Sequence, residues 1–364
     1  MRESVRSGHH GCTVLFGLCA ALVGGQALAE ISITDHNAMI RQQRFQARHH
    51  GVSIMSTGAH QLIDAAGLKY FLNDNITFST SSSASGAVSE ASYTQSVAET
   101  TVSGGTTMVR MYDAFDGYGT LCVSFTGATG PCETANASYV IYNRNGAATA
   151  EASCNSRQYA FNPQTMGQLQ VSRKFFVPSN DTFARWLNYF TNTGGSPVTF
   201  NVITSNNLGS DFDTTIVASS NGAINTSTTW VSTFDNYTGN DPRLGHVLQG
   251  PGAVTPVSTI HFTNGDDNPY WTYTVTLQPG ETKVIMTFVT GQPGKAAANA
   301  KAAQLVSLPP NAVQCMTATD LGKVTNFAAA GAGTSIPALT RAGIAALALL
   351  LTAAGVVALR ARAA

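Results

Sequence analysis

The middle of this chain alternates apolar and polar residues with a period of two, and that pattern restricts it to extended strands with one buried face. In Tyr270–Leu277, the side chains of Trp271, Tyr273, Val275 and Leu277 share one side, while three threonines share the other. Successive side chains of a β-strand point to opposite faces of the sheet. Segments of this kind therefore predict sheets whose apolar faces pack together in a sandwich or a barrel.

Turn residues between these segments predict two β-hairpins. The first joins Tyr270–Leu277 to Lys283–Thr290 through a Pro-Gly turn, and the second joins Thr182–Thr191 to Pro197–Thr204 through Asn192–Gly195. The other strand candidates are Ile76–Thr80, Met108–Tyr112, Ser138–Tyr142, Gln168–Val177, Ile216–Ser219, Thr228–Thr233 and Val257–Phe262. We expect one large all-β domain, an antiparallel β-sandwich, with two stacked sheets of unusual width as one form of it.

Few helices are predicted. Lys295–Val306 follows a Pro-Gly pair and is typical of a helix, and Asp320–Phe327 predicts a short helix with Thr319 as its cap. Asn37–Arg48 is a third candidate. The two later helices follow the last predicted strand, so we expect them to form a packing appendage or a stalk.

The charge balance excludes some classes of partner. Charged residues make up 11% of the chain, against about 25% in an ordinary globular protein. Twenty basic and twenty acidic residues give a net charge of zero. A nucleic-acid binder needs a basic surface, so we expect no nucleic-acid partner. Hydrophobic residues make up 43%, which allows a large core.

The first 29 residues have the three parts of a secretory signal. Two early arginines precede the apolar stretch Cys12–Val23, and small residues at Ala27 and Ala29 mark a signal-peptidase cleavage site before Glu30. The alternative is an uncleaved N-terminal anchor, but the apolar stretch is short for a membrane span. Export is the predicted outcome, with signal peptidase as a partner.

The other end of the chain predicts a single membrane span. Gly343–Leu359 contains no charged residue, and a helix of this length covers about 26 Å, close to the thickness of a thin bilayer. Arg360 and Arg362 follow as a basic stop, with Arg341 on the opposite flank. Because basic residues stay in the cytoplasm, everything before the span is expected outside. A buried core helix is the alternative.

The segment before the span contains Ile336, Pro337 and Leu339, with Ala338 between the last two. This arrangement of short motif, single span and basic end resembles the IPTL-CTERM sorting tails of Gram-negative bacteria, relatives of the PEP-CTERM tails. The resemblance implies processing by an exosortase-like membrane peptidase. Residues 328–335 are small and flexible, and they suit either a spacer for such an enzyme or an ordinary linker.

Four cysteines remain in the mature chain: Cys122, Cys132, Cys154 and Cys315. An even number in an exported protein predicts disulfides, with three possible connectivities. One pairing closes the turn-rich loop between Cys122 and Cys132 and leaves a long-range bridge from Cys154 to Cys315. A redox motif with two cysteines three positions apart is absent from the sequence.

Part of the body resembles known modules. The resemblance rests on short motifs within residues 171–222, namely Arg173–Pro178, Phe183–Arg185, Thr191-Asn192 and Asn207–Asp211. It is similar to a module of bacterial surface and adhesin-like proteins and to the wide, galactose-mutarotase-like β-sandwiches found beside carbohydrate-active domains. The resemblance implies a sandwich fold and no particular catalytic residue.

Two pairs of aspartates are candidates for chemistry. Asp113 with Asp116, and Asp211 with Asp213, could act as paired carboxylates in hydrolysis. Asp211 and Asp213 would share one face if their segment were extended, and such oxygen-rich pairs also suit calcium. Polar turn residues are the plain alternative for both pairs. The histidines lack metal-ligand spacing, and the three tryptophans Trp186, Trp230 and Trp271 are either core residues or sugar-stacking rings.

These features predict a chain organised as signal peptide (1–29), extracytoplasmic β-sandwich (30–327), spacer (328–335) and sorting tail (336–364). We expect a non-catalytic protein, tethered to the membrane or sorted to the surface, that acts in adhesion, matrix or glycan contact. A carbohydrate-active enzyme or mutarotase-like accessory protein is the alternative, and a purely structural envelope component is a third.

Overall fold

The computed structural model describes residues 60–74, 84–100, 105–132, 136–143, 148–235 and 241–328. In these residues the chain forms two eight-stranded antiparallel sheets that pack face to face, with a separate two-stranded hairpin. This confirms the prediction of an all-β sandwich and the alternative with two wide sheets. The predicted signal peptide, the helix Asn37–Arg48, the strand Ile76–Thr80, the motif around Pro337 and the terminal span all lie outside the described residues.

The strands follow one another through both sheets. They are β1 (His60–Ile63), β2 (Leu68–Leu72), β3 (Val88–Tyr93), β4 (Val97–Thr100), β5 (Thr106–Val109), β6 (Phe115–Ser124), β7 (Val140–Ile141), β8 (Thr149–Ala150), β9 (Gln158–Met166), β10 (Leu169–Phe176), β11 (Ala184–Asn192), β12 (Val198–Leu208), β13 (Thr214–Ser219), β14 (Trp230–Asp235), β15 (Arg243–Val247), β16 (Val257–His261), β17 (Tyr270–Leu277) and β18 (Thr282–Gln292).

The first sheet has the order β1-β2-β3-β6-β12-β17-β16, with β7 paired to β6. The second has the order β13-β14-β15-β18-β11-β10-β9-β8, and β4 pairs with β5. The main core lies between the two sheets, where side chains such as Phe200 and Trp271 from the first meet Trp186 and Phe190 from the second. The alternating pattern therefore marks the inward faces correctly.

Both predicted hairpins are wrong, although their strands exist. β17 belongs to the first sheet and pairs with β12 and β16, while β18 belongs to the second and pairs with β11 and β15. Likewise, β11 and β12 lie in different sheets. Each turn is an arch that carries the chain across the sandwich. The physical reason is that an arch and a hairpin both bury the apolar face, so alternation alone does not choose between them.

Helices cover the outer face of the second sheet. Helix α1 (Lys295–Val306) forms as predicted, and it packs with Ala302 and Leu305 on Val247 and Phe288 of the sheet. Helix α2 is Ala318–Lys323 rather than Asp320–Phe327, because Thr317, not Thr319, caps it in a reciprocal capping box with Asp320. Among the described residues, no helix has the length and apolarity that crossing a membrane requires.

The structure forms the two disulfides of one pairing that the sequence left open. Cys122–Cys132 closes a loop on the outer face of the first sheet, with a Cα–Cα distance of 5.9 Å. Cys154–Cys315 joins the start of the second sheet to the chain after α1, with a Cα–Cα distance of 5.6 Å. Each bond thus fixes a segment to the outside of one sheet.

Candidate functional site

The predicted carboxylate pairs lie at the ends of strands. Asp113 and Asp116 flank the start of β6, and each is about 6% exposed. Asp211–Asp213 forms a short 3-10 turn instead of a strand. The segment is therefore not extended, and Asp211 and Asp213 do not share a strand face, because the chain curves at this point and the period of two does not apply.

The fold nevertheless brings the two aspartate segments together. The amide of Gly209 donates to the carbonyl of Ala114 at 3.2 Å, and the carbonyl oxygen of Asp113 packs against Gly209. Asp113 and Asp211 have φ angles of 65° and 51°. Over the described parts of the chain, no group of three or more His, Cys, Asp or Glu residues is arranged to hold a metal ion. Calcium at Asp211 and Asp213 stays a prediction.

Two of the three tryptophans are core residues. Trp186 is 1% exposed and Trp271 is fully buried, and the indole of Trp186 donates to the carbonyl of Gly86 at 2.7 Å. Trp230 is partly buried against the cluster beneath α1. Trp186 and Trp271 therefore have no surface on which a sugar could stack.

The interior also contains a histidine held in its neutral form. His246 is fully buried, with Nδ1 bonded to the hydroxyl of Tyr118 and Nε2 to Thr233, both at 2.8 Å. Burial away from water lowers the pKa of His246 to about 3. Both ring nitrogens are hydrogen-bonded within the protein, and the ring is not accessible to solvent. We therefore interpret His246 as a core residue and not as a site residue.

The outer face of the first sheet carries a different arrangement at its β16 edge. The rings of His261 and Tyr270 lie parallel, with an interplanar angle of 10° and a centroid distance of 4.9 Å. Nε2 of His261 bonds to Oδ2 of Asp266 at 2.8 Å, and the two side chains are 36% and 34% exposed. We call His261, Tyr270 and Asp266 the ring shelf. It presents two aromatic rings and a carboxylate together at the surface.

Local structure fixes each member of the ring shelf. His261 ends β16 and lies opposite Tyr270 in the strand register, so their side chains are neighbours on one face. Asp266 lies in the turn between the two strands, and its Oδ1 accepts from the amide of Asn268 at 2.9 Å. Partial burial and the charge of Asp266 raise the pKa of Tyr270, so its hydroxyl stays protonated.

The Cys122–Cys132 loop stands beside the ring shelf. The amide of Cys132 donates to Oγ of Ser205 at 2.7 Å, and Ser205 is the register partner of Tyr270. Further along β17, Oγ1 of Thr272 donates to the carbonyl of Thr129 at 3.0 Å. The loop therefore covers the sheet next to Tyr270 and forms a wall on the side away from β16.

Beyond that wall lies a second polar area, the threonine strip, formed by Thr199, Thr274 and Thr276. All three are exposed. Thr199 and Thr276 share a hydrogen bond of 2.8 Å between their hydroxyls, and Thr274 donates to Asn201 at 2.9 Å. Hydroxyl groups both donate and accept, so the strip offers both roles to a ligand.

Sequence reasoning did not identify the ring shelf. His261 looks isolated in the sequence, because Asp266 lies across a turn and Tyr270 lies on the next strand. The sequence correctly places the three threonines of β17 on the face opposite the core, and the structure adds Tyr270 to that face. The sequence alone does not show that β16 pairs with β17, and it is this pairing that brings His261 next to Tyr270.

Comparisons with known proteins give no family for this chain, and the solved structures found are only distantly similar to it. No protein-family model matches the chain, and no curated protein matches it. Among solved structures, a polysaccharide lyase has 12% identity and a TM-score of 0.39, covering 66% of this chain and 35% of its own. A galactose mutarotase-like protein from Lactobacillus casei has 8% identity and a TM-score of 0.36, covering 64% and 99%. The chain spans about a third of the length of the lyase, and no conclusion about activity follows from these values.

Proposed function

We propose that this protein is an exported, non-catalytic glycan-contact protein that binds sugars at the ring shelf. The observation that carries the proposal is the parallel, half-exposed ring pair of His261 and Tyr270 with the Asp266 carboxylate at its side. Ligand sites of this kind combine aromatic surface with a few fixed polar groups that orient the ligand.

The chemistry of the ring shelf suits a sugar. The C–H face of a pyranose is apolar and packs on an aromatic ring, while its hydroxyls need acceptors and donors. Asp266 accepts such hydroxyls, and the protonated Tyr270 hydroxyl donates to them. Tyrosine also loses little conformational freedom on binding, since it has two rotatable side-chain bonds.

A binding role fits the shelf better than hydrolysis. Cleavage by the common glycosidase mechanism needs two carboxyl groups that flank the scissile bond. The contacts described for the ring shelf include one carboxylate, that of Asp266. Of the two aspartate pairs predicted from the sequence, Asp113 and Asp116 lie at the start of β6, and Asp211 and Asp213 lie in the 3-10 turn before β13.

Tethering to the membrane is part of the proposal. The described chain ends at Ala328 beside Phe327, which packs against the outer face of the second sheet. The ring shelf lies on the outer face of the first sheet, on the other side of the sandwich. A tail that leaves from Ala328 into a membrane span would therefore leave the ring shelf free to meet a glycan.

Substitution of Tyr270, one of the two stacked rings, tests the proposal. We expect Tyr270→Ala in the full-length oxidised protein to weaken glycan binding by about tenfold or more, because loss of a stacking aromatic side chain costs on the order of 1–2 kcal/mol. Isothermal titration against a panel of oligosaccharides measures this. Tyr112→Ala is the matched control, since Tyr112 is an exposed tyrosine outside the shelf.

Two results would contradict the proposal. Equal binding by Tyr270→Ala and Tyr112→Ala would remove the ring shelf as the site. Release of new reducing ends from any polysaccharide by the wild-type protein would show turnover and favour the carbohydrate-active alternative.

A further inference from the structure

The stretch of chain that supplies the ring shelf is almost free of basic residues. Between Trp186 and Thr282 the sequence contains seven acidic residues and a single Lys or Arg, Arg243. Arg243 is 2% exposed and forms an ion pair with Glu99, so it offers no charge to a ligand at the surface. This stretch of chain supplies all of the ring shelf and the threonine strip.

The strands beneath the shelf show the same property. β6, β12, β16 and β17 form the half of the first sheet that carries the ring shelf, and none contains Lys or Arg. The nearest described lysine in sequence is Lys283, whose Nζ donates to the carbonyl of Thr276 at 2.7 Å and lies 3.5 Å from Glu281. That lysine lies at the threonine strip, not at the ring shelf.

We infer that the ligand of the ring shelf is a neutral glycan, a polymer of hexoses with hydroxyl groups and no carboxylate or sulfate. The inference rests on the proposed function and narrows it. Proteins recognise carboxylate, sulfate and phosphate groups mainly through Arg and Lys, and often through the bidentate geometry of Arg. The described shelf provides neither, and Asp266 repels a sugar acid.

The polar groups that the surface does offer match a hydroxylated ligand. At the ring shelf, Asp266 accepts hydrogen bonds and the hydroxyl of Tyr270 donates them. Hydrogen bonds to an uncharged ligand depend little on ionic strength, whereas binding of a polyanion to cationic groups weakens steeply as salt rises. Salt dependence therefore separates the two ligand classes.

The test uses the full-length oxidised protein and three probes of comparable length: a neutral gluco- or manno-oligosaccharide series, oligouronates, and oligomers of glucosamine. We expect binding of a neutral series that changes by less than about twofold between low and high salt. Oligouronates are expected to bind at least about tenfold more weakly, since like charges oppose each other.

Two variants make the inference falsifiable beyond the wild-type result. Asp266→Asn removes the repelling charge and is expected to narrow the gap between neutral and acidic probes. Thr263→Lys places a cation at an exposed position of the turn that carries Asp266, and it is expected to create salt-sensitive binding of oligouronates. Thr263→Ser is its matched control and leaves the ranking unchanged.

The possible outcomes are distinct. Preferred binding of oligouronates or of glucosamine oligomers through Tyr270 would overturn the neutral-ligand inference and leave the proposed function standing. Binding of no probe, or binding that Tyr270→Ala leaves intact, would overturn the proposed function and with it the inference.

Discussion

Asp64 is a buried carboxyl group whose two oxygens have different surroundings. Oδ1 accepts from the amides of Ala66 and Leu68 at 2.9 and 3.0 Å, while Oδ2 is buried without a hydrogen-bond partner. Burial raises the pKa of Asp64 to about 7, despite opposing contributions from those amides and from Arg157. The folded protein therefore prefers the protonated acid.

This position predicts a pH dependence of stability. An unfolded Asp releases its proton near pH 4, whereas Asp64 in the folded protein releases it near pH 7. The free energy of unfolding therefore falls as the pH rises between these values. Asp64 contributes up to about 4 kcal/mol to this fall. Asp64→Asn keeps the Oδ1 acceptor and removes the charge. We expect the variant to gain stability relative to wild type at pH 8 and much less at pH 4, as measured by urea unfolding. An equal difference at both pH values would contradict this.

For His246 we expect the opposite pH dependence: its contribution to the free energy of unfolding rises with pH. Its folded pKa of about 3 lies below the value of roughly 6.5 in the unfolded chain. The stability that comes from the neutral ring is fully present above about pH 6.5 and is lost as pH falls toward 3.

His246→Gln is expected to destabilise at neutral pH, by about 1–3 kcal/mol, because buried hydrogen bonds are lost. Its deficit should shrink as the pH falls. Urea unfolding at several pH values measures both effects, and a constant deficit from pH 4 to pH 7 would show that His246 does not titrate with folding.

At the scale of elements, the two disulfides close loops of very different length. Cys122–Cys132 has a sequence separation of 10 and Cys154–Cys315 one of 161. In the chain-entropy model the shorter bond contributes about 3 kcal/mol and the longer about 5 kcal/mol. The Cys122–Cys132 bond holds the loop that forms the wall beside the ring shelf. The Cys154–Cys315 bond holds the segment that covers the second sheet.

These differences predict separable effects. We expect the double substitution of Cys122 and Cys132 to serine to leave a folded protein with weakened glycan binding, because the wall beside Tyr270 loosens. We expect the same change at Cys154 and Cys315 to lower the unfolding midpoint further and to leave the glycan affinity of the folded protein unchanged. Denaturant titration and calorimetric binding of both variants check this, and the reverse pattern would contradict it.

The arches show why element identity and element pairing are separate problems. β18 is apolar on both faces, since Ile285 and Val289 point to the main core while Met286 and Phe288 lie under α1 and the C-terminal segment. A strand buried on both sides takes a central place, and its two edges are filled by β11 and β15. No edge remains for β17, although a short turn joins the two.

At the scale of the whole molecule, the two outer faces of the sandwich differ. Residues 307–328, which we call the C-terminal strap, run over the second sheet and cover it together with α1. Arg185, fully buried, donates to the carbonyls of Ala312 and Gln314 at 2.7 and 2.8 Å. Asn326 bonds to the amide and the carbonyl of Met286, and it also donates to the carbonyl of Leu248.

The covered face and the open face have separate roles. The strap and α1 bury the apolar outer residues of the second sheet, so that face serves stability. The outer face of the first sheet is polar along β17 and remains partly open, so that face is available for contact. The position of the ring shelf follows from this division.

The sequence by itself determined which residues are extended, which sides of the strands are apolar, where α1 lies and that the cysteines form disulfides. Those properties depend on local periods, turn residues and composition, which neighbouring residues carry. Only the tertiary structure decided the pairing of β17 and β18, the bend at Asp211 and the meeting of His261, Tyr270 and Asp266. Strand partners are chosen by competition among distant segments for the same edges and the same core. That competition is not encoded in any one segment, and so the ring shelf appears only when the sheet is assembled.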